Sequence, residues 1–216
     1  MERSPGVMLK NTTVSLIVII LFHVVGLIGF FVPALTPLFL RLVPFHLLLM
    51  LGVVLYNHYR LDEKFLGFLL LIFIAGIIAE WIGVHKHWLF GNYHYGPTLG
   101  IKVLDIPLMI GVNWFTLVYA TGVLMQRSRL RSMIARVLVG AAILVLLDVL
   151  IEPVAIKFDY WSWADKVPPL KNYLCWFGVS ALFLWAFEAF KFKPQNVVAP
   201  VLLGVEFVFF GVLWLA

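Results

Sequence analysis

The sequence predicts an all-α fold, a polytopic transmembrane helix bundle of about seven spans forming one integral-membrane domain over 1–216. Three observations carry this. Hydrophobic residues make up 63% of the chain and charged residues only 12%, with a mean hydropathy of +1.02. Several runs reach the roughly 18–20 apolar residues needed to cross a bilayer. None of them alternates apolar with polar residues, as the strands of a membrane barrel would.

Taken in order, the first span covers 14–32 and follows a segment carrying Arg3 and Lys10. That start resembles a signal peptide, but the apolar run continues to Val32 with no small-residue cleavage site, so a retained helix is expected. Pro33 and the Thr36-Pro37 pair mark its end. The second span, 38–56, contains Pro44, expected to kink or restart it near the membrane face. A polar loop, 57–64, leads to the third span, 65–84, with Glu80 near its end. The long connection 85–103 is rich in His, Tyr, Gly and Trp. The fourth span covers 104–125 and the basic loop 126–131 follows it. The fifth span is 134–152, the second long loop 157–172, the sixth span 173–190, and the last 197–215.

Basic residues between the spans set the topology. The N-terminal side collects ten Lys and Arg and the opposite side six, which places the N-terminus in the cytoplasm and the C-terminus outside an inner cell membrane. The net charge of +5 therefore serves orientation, and no nucleic-acid partner is expected. The lone Cys175 excludes an internal disulfide and is expected to be a packed thiol.

The most informative stretch is 147–153, where Asp148 and Glu152 interrupt a greasy helix. Four residues apart, their side chains share one helix face, about 5–6 Å apart at Cβ. Acids at such depth are costly in lipid and usually face a cavity or a partner. One of the two could lie at the interface while the other bonds a neighbouring helix. The functional alternative is acid–base work, because two adjacent carboxyls can hold one proton between them at neutral pH.

With this topology, Glu80, Asp105, Asp148 and Glu152 all fall in the outer leaflet, beneath the two long loops. Glu80 alone would read as a helix-end anchor paired with Lys86 or His87, but its depth matches that of the other acids. The loop segments around Tyr93, Tyr95, Tyr160, Trp161 and Trp163 suit a membrane interface. Two such clusters above four acids also suit a pocket that stabilises positive charge, each cation–π contact being worth about 0.5–2 kcal/mol when desolvated. His85, His87 and His94 lack the i, i+4 spacing of a helical pair, so no metal site is expected. Asn113 and Asn172 could orient water or a carboxylate. Glu188 reads as a surface pair with Lys191, and Glu206, mid-helix in the last span, is left outside the site.

These residues form two blocks. Phe90-Gly91-Asn92-Tyr93-His94-Tyr95, Leu99-Gly100 and Ile106-Pro107-Leu108-Met109-Ile110 with Trp114 make the first. Asp148, Glu152-Pro153-Val154-Ala155, Tyr160-Trp161-Ser162-Trp163, Pro169-Leu170-Lys171-Asn172-Tyr173 and Trp176-Phe177 make the second. Together they resemble the bacterial and archaeal carotenoid biosynthesis membrane proteins, over roughly 80–177. That family includes hydratases of ψ-end carotenoids, such as γ-carotene 1′-hydratase and bisanhydrobacterioruberin hydratase. In this chain Asp165-Lys166-Val167-Pro168 replaces a segment often richer in Gly and Tyr.

The resemblance implies addition of water across the terminal C1=C2 bond of a carotenoid held among membrane lipid. Asp148 or Glu152 would protonate C2, and the partner carboxyl or Glu80 would position the water. Tyr93, Tyr95, Trp114, Tyr160, Trp161, Trp163 and Asn172 would bind the substrate, supported by Asp105, His94 and Asn113. No cofactor is implied, and no nucleotide-binding glycine loop is present. Association with other carotenoid enzymes is compatible with this reading. Alternatives are an end-group cyclase using the same protonation, a membrane hydrolase, and a non-catalytic carotenoid-binding scaffold. A retinal protein would need a lysine in the last span, and 197–215 has none.

Overall fold

A computed structural model describes residues 5–216, with side chains from residue 12 onward. The cations Arg3 and Lys10 used in the topology argument lie outside the described side chains. The structure contains α1 (Pro5–Phe31), α2 (Thr36–Asn57), α3 (Glu63–Lys86), α4 (Leu108–Arg127), α5 (Met133–Lys157), α6 (Leu170–Phe190) and α7 (Val198–Trp214). Six helices are long and apolar enough to cross a membrane, and α7, at 17 residues, is a shorter apolar helix. The chain is thus a multi-helix membrane protein.

Helix α4 is the hub, packing against α2, α3, α5, α6 and α7. Its membrane-crossing stretch is 78% buried against 22% for α1, yet its mean hydropathy is 1.6 against 2.8. The inversion follows from the solvent. Lipid demands an apolar surface, whereas the interior of a membrane bundle accepts small and weakly polar residues that let helices approach. Thr116 and Thr121 are buried on α4 for this reason.

Two expected boundaries shift. The fourth helix starts at Leu108, not at 104, because β2 (Lys102–Val103) and β3 (Ile106–Pro107) form a two-residue hairpin first. Leu104 and Asp105 are its turn, both with positive φ (49° and 63°), the signature of a type I′ turn. Helix α5 passes through Pro153 to Lys157, and α2 runs through Pro44 without a restart. Proline removes one backbone donor, and in α5 the buried Val154 and Ala155 hold the last turn against the bundle.

The long loops are not independent aromatic clusters. They pair as an antiparallel ribbon of β1 (Tyr93–Tyr95) and β4 (Trp161–Trp163), in register Tyr93↔Trp163, His94↔Ser162 and Tyr95↔Trp161. Strand alternation turns the four aromatic residues toward the bundle and leaves His94 exposed.

Candidate active site

Beneath that ribbon lie three buried carboxyls, Glu80 from α3 and Asp148 and Glu152 from α5, exposed by 4%, 1% and 2%. Glu80 is held by three donors. Its Oε2 accepts from Tyr93 Oη at 2.5 Å and Tyr95 Oη at 2.7 Å, and its Oε1 accepts from Trp114 Nε1 at 2.9 Å. Burial and the neighbouring Glu80 push both phenols well above their ordinary range, so they act as donors. Three donors on two oxygens fit an ionised carboxylate, which only accepts.

The sequence of α3 makes room for this. Gly76, Glu80 and Gly83 lie on one helix face at i, i+4 and i+7. A Cβ at Gly76 would come within 2.9 Å of the Trp114 side chain, and one at Gly83 within 2.5 Å of Tyr93 Oη. The two glycines let the indole and the phenol close on the acid between them. Sequence reasoning missed this pair, although glycines three and four residues from a membrane acid were legible as a close-approach signal.

Glu152 is held by the other strand. Its Oε2 accepts from Trp163 Nε1 at 2.8 Å and Trp161 Nε1 at 3.1 Å. Asn172, in the first turn of α6, uses its Nδ2 to reach Asp148 Oδ2 at 2.8 Å and Glu152 Oε1 at 3.3 Å. One amide therefore bridges both carboxyls. Asp148 Oδ1 is buried and has no hydrogen-bond partner among the described residues.

Two cavities share a wall here. The smaller, about 30 Å³, is lined by Glu80, Glu152, Asn113, Asn172 and the ribbon aromatics. That is room for about one or two water molecules, with the several polar partners a buried water needs. The larger, about 350 Å³, is almost wholly apolar and lies among α1, α2, α4 and α7. Ile110, Asn113 and Trp161 line both and form the partition between them. The exposed lining residues Phe22 and Val25 on α1 and Leu42 and Phe45 on α2 put its mouth on the lipid-facing surface.

Most of the expected site residues gather around these cavities. Glu80, Glu152, Tyr93, Tyr95, Trp114, Trp161, Trp163, Asn113 and Asn172 line the small one, and Tyr160 lines the large one. Asp148 lines neither and stands behind Glu152, joined to it through Asn172. Trp176 also belongs to the small cavity, where it stacks on Trp114 with ring centroids 4.3 Å apart. Two expected members are displaced. Asp105 sits at the hairpin turn, its side chain 76% exposed and 3.6 Å from His85, because the turn replaces the first helical residues. His94 faces outward for the alternation reason given above. Among the described residues no three His, Cys, Asp or Glu side chains come together as metal ligands. Glu188 pairs with Arg136 at 2.6 Å rather than with Lys191, and Cys175 is only half-buried.

A family model described as carotenoid biosynthesis protein matches residues 41–215. The chain belongs to this family. Helices α3 to α7, the ribbon and the three acids beneath it fall inside the matched span. Among curated proteins, the bisanhydrobacterioruberin hydratase of Haloarcula japonica is 31% identical over 119 residues, covering 50% of this chain and 40% of the relative. The match thus spans less than half the length of that relative. No solved structure matches the chain.

Proposed function

We propose that this carotenoid biosynthesis protein hydrates the terminal C1=C2 double bond of a ψ-end carotenoid, in an inner cell membrane with its N-terminus cytoplasmic. The observation that carries the reading is a lipid-open apolar chamber that shares a wall with a water-sized chamber lined by two carboxyls. The polyene end enters from lipid and advances to the Ile110, Asn113 and Trp161 partition. Glu152 is the acid. Its Oε2 is occupied by two indole donors, so the proton sits on Oε1 and passes to C2. The electron pair of the alkene forms the new C–H bond and leaves a tertiary cation at C1.

Trp161 and Trp163 present indole faces to that cation. Water held by Asn113 and Glu80 attacks C1, and its surplus proton returns to the carboxyl set, so the enzyme ends as it began. Asp148 acts through Asn172 as a positioning residue that fixes Glu152 and shares its proton. The sum is alkene plus water giving a tertiary alcohol, with no redox partner required.

The test is pigment analysis in a bacterial host that accumulates lycopene and γ-carotene. A product heavier by one water, lost in Glu152→Gln, supports the hydratase. An isomer of unchanged mass would replace it with a cyclase, and unchanged pigment with the protein present in the membrane would leave a scaffold.

A further inference from the structure

The end of the bundle opposite the ribbon is made by three connections, α2 to α3, α4 to α5 and α6 to α7. The first carries Arg60 and the second Arg127, Arg129 and Arg131. The third, a strap over 191–197, carries Lys191 and Lys193, and Lys64 opens α3 beside it. All seven cations are exposed, against two exposed carboxylates among the described residues of this end, Asp62 and Glu63. The ribbon end differs. Its loops expose five lysines against three carboxylates, Asp105, Asp159 and Asp165. Lys102 and Lys171 there donate to the carbonyl oxygens of Tyr95 and His87, while Lys86 and Lys157 lie over the rings of Trp81 and Phe158.

An excess of charge is enough to orient a membrane protein. The strap end goes further, because the backbone that presents its cations is fixed. The carbonyl oxygens of Lys191, Phe192 and Gln195 accept from Lys64 Nζ, Gln126 Nε2 and Arg127 Nη1 at 3.2, 3.0 and 2.8 Å. Tyr59 N donates to Gln195 Oε1 at 2.9 Å, which ties the first connection to the strap. Arg136 forks onto Glu188 and also donates from Nη1 to the carbonyl oxygens of Leu130 and Arg131, both at 3.1 Å. Lys64, Arg127 and Arg136 therefore serve the scaffold. Arg60, Arg129, Arg131, Lys191 and Lys193 are left over, and among the described residues none of them pairs with a carboxylate. Cations held on an ordered frame lose less freedom when a ligand arrives.

We propose that this end is a binding surface for anionic phospholipids, whose headgroup phosphates are taken by Arg60, Lys191 and Lys193 around the strap and by Arg129 and Arg131 on the adjoining connection. A guanidinium meets two phosphate oxygens with parallel N–H groups, and a lysine adds a point charge. A lipid fits better than a soluble polyanion because apolar side chains continue below the cations. Leu66 and Leu70 on α3 and Leu182 and Trp185 on α6 are exposed, where acyl chains can lie against them. The exposed Tyr59 stands at the level between headgroup and chain, as interfacial aromatics do. This surface takes no part in the hydration scheme and does not depend on it.

The test titrates phosphatidylglycerol or phosphatidylcholine into the detergent-solubilised full chain and counts bound lipid by native mass spectrometry. The melting temperature is read separately in nanodiscs of either composition. Wild type should bind phosphatidylglycerol at least about tenfold more tightly, and melt higher in nanodiscs that contain it. That gain should shrink as the screening length falls from about 8 Å at about 0.15 M salt to about 3 Å at about 1 M. Each cation near an anionic surface contributes about fivefold in affinity, so the triple variant Arg129→Gln, Arg131→Gln, Lys193→Gln should lose about a hundredfold. The ribbon-end triple Lys86→Gln, Lys157→Gln, Lys166→Gln should keep the preference.

Equal binding of the two lipids by wild type would overturn the proposal, and so would equal losses in the two triple variants. A strap-end triple that melts earlier than wild type in phosphatidylcholine alone would make its cations structural. Inorganic pyrophosphate that raises the melting temperature in phosphatidylcholine nanodiscs as much as phosphatidylglycerol does would replace the lipid by a soluble phosphate.

Discussion

Glu80 and Glu206 are both buried acids on membrane helices, and their surroundings are opposite. Glu80 receives three donors from β1 and α4, and two glycines on its own helix make room for them. Among the described residues Glu206 receives none, and it faces an apolar chamber. A carboxyl held by three protein donors is set in place by the fold, and its geometry survives with or without a ligand. Glu152 stands between them, with one oxygen held by two indoles and the other facing the small chamber.

The largest effect should come from the half-open acid. Glu152→Gln removes the proposed proton donor and also aims an amide at two indole N–H groups. Water addition should fall about 10²–10⁴-fold, the usual contribution of a general acid, measured as hydrated pigment per unit of membrane protein. A variant retaining more than half the product would remove Glu152 from the acid role.

Glu80→Gln should act on activity and stability together, since its amide nitrogen cannot accept from the phenols or the indole. A loss of about 1–3 kcal/mol is expected from mispaired buried donors, read as a lower melting temperature, with activity reduced about 10²-fold. Glu80→Gln melting like wild type would show that the donor cage does little for the fold.

Gly83→Ala tests the same cage without touching a carboxyl. Its methyl would lie 2.5 Å from Tyr93 Oη, so the phenol must shift. Activity should drop roughly tenfold to a hundredfold, because displacements of about 1 Å at a reacting site have that effect. Equal turnover in this variant would show that Tyr93 is not needed where it sits.

Asp148→Asn should be the mildest. The side chain lines neither cavity, and an amide oxygen can still accept from Asn172. A loss of about tenfold or less is expected, rescued little by Asn172→Asp and separated from Glu152→Gln by at least another tenfold in product yield. Equal losses in the two variants would move Asp148 to the front of the site.

Much of this is legible in the sequence. Apolar run lengths gave the helices, because lipid forces backbone groups to be satisfied within each segment. Asp148 and Glu152 stood out because charge is rare in such runs, and Glu80 followed from its depth. Composition extends the fourth span back over Asp105, whereas the backbone there makes a two-residue turn that sends the carboxylate into solvent. His94 was equally unreadable until the strand pairing fixed which face it takes.

What the sequence alone determined is the membrane class, the approximate spans and the identity of the buried acids, all local consequences of transfer energy. Only the tertiary structure decided that two distant loops zip into one ribbon, that Asn172 bridges two carboxyls, and that Asp148 stands behind Glu152. It also decided that Glu206 opens into the chamber beside His23 and His46. These depend on contacts between residues far apart in the chain, and no periodicity encodes which donor finds which oxygen.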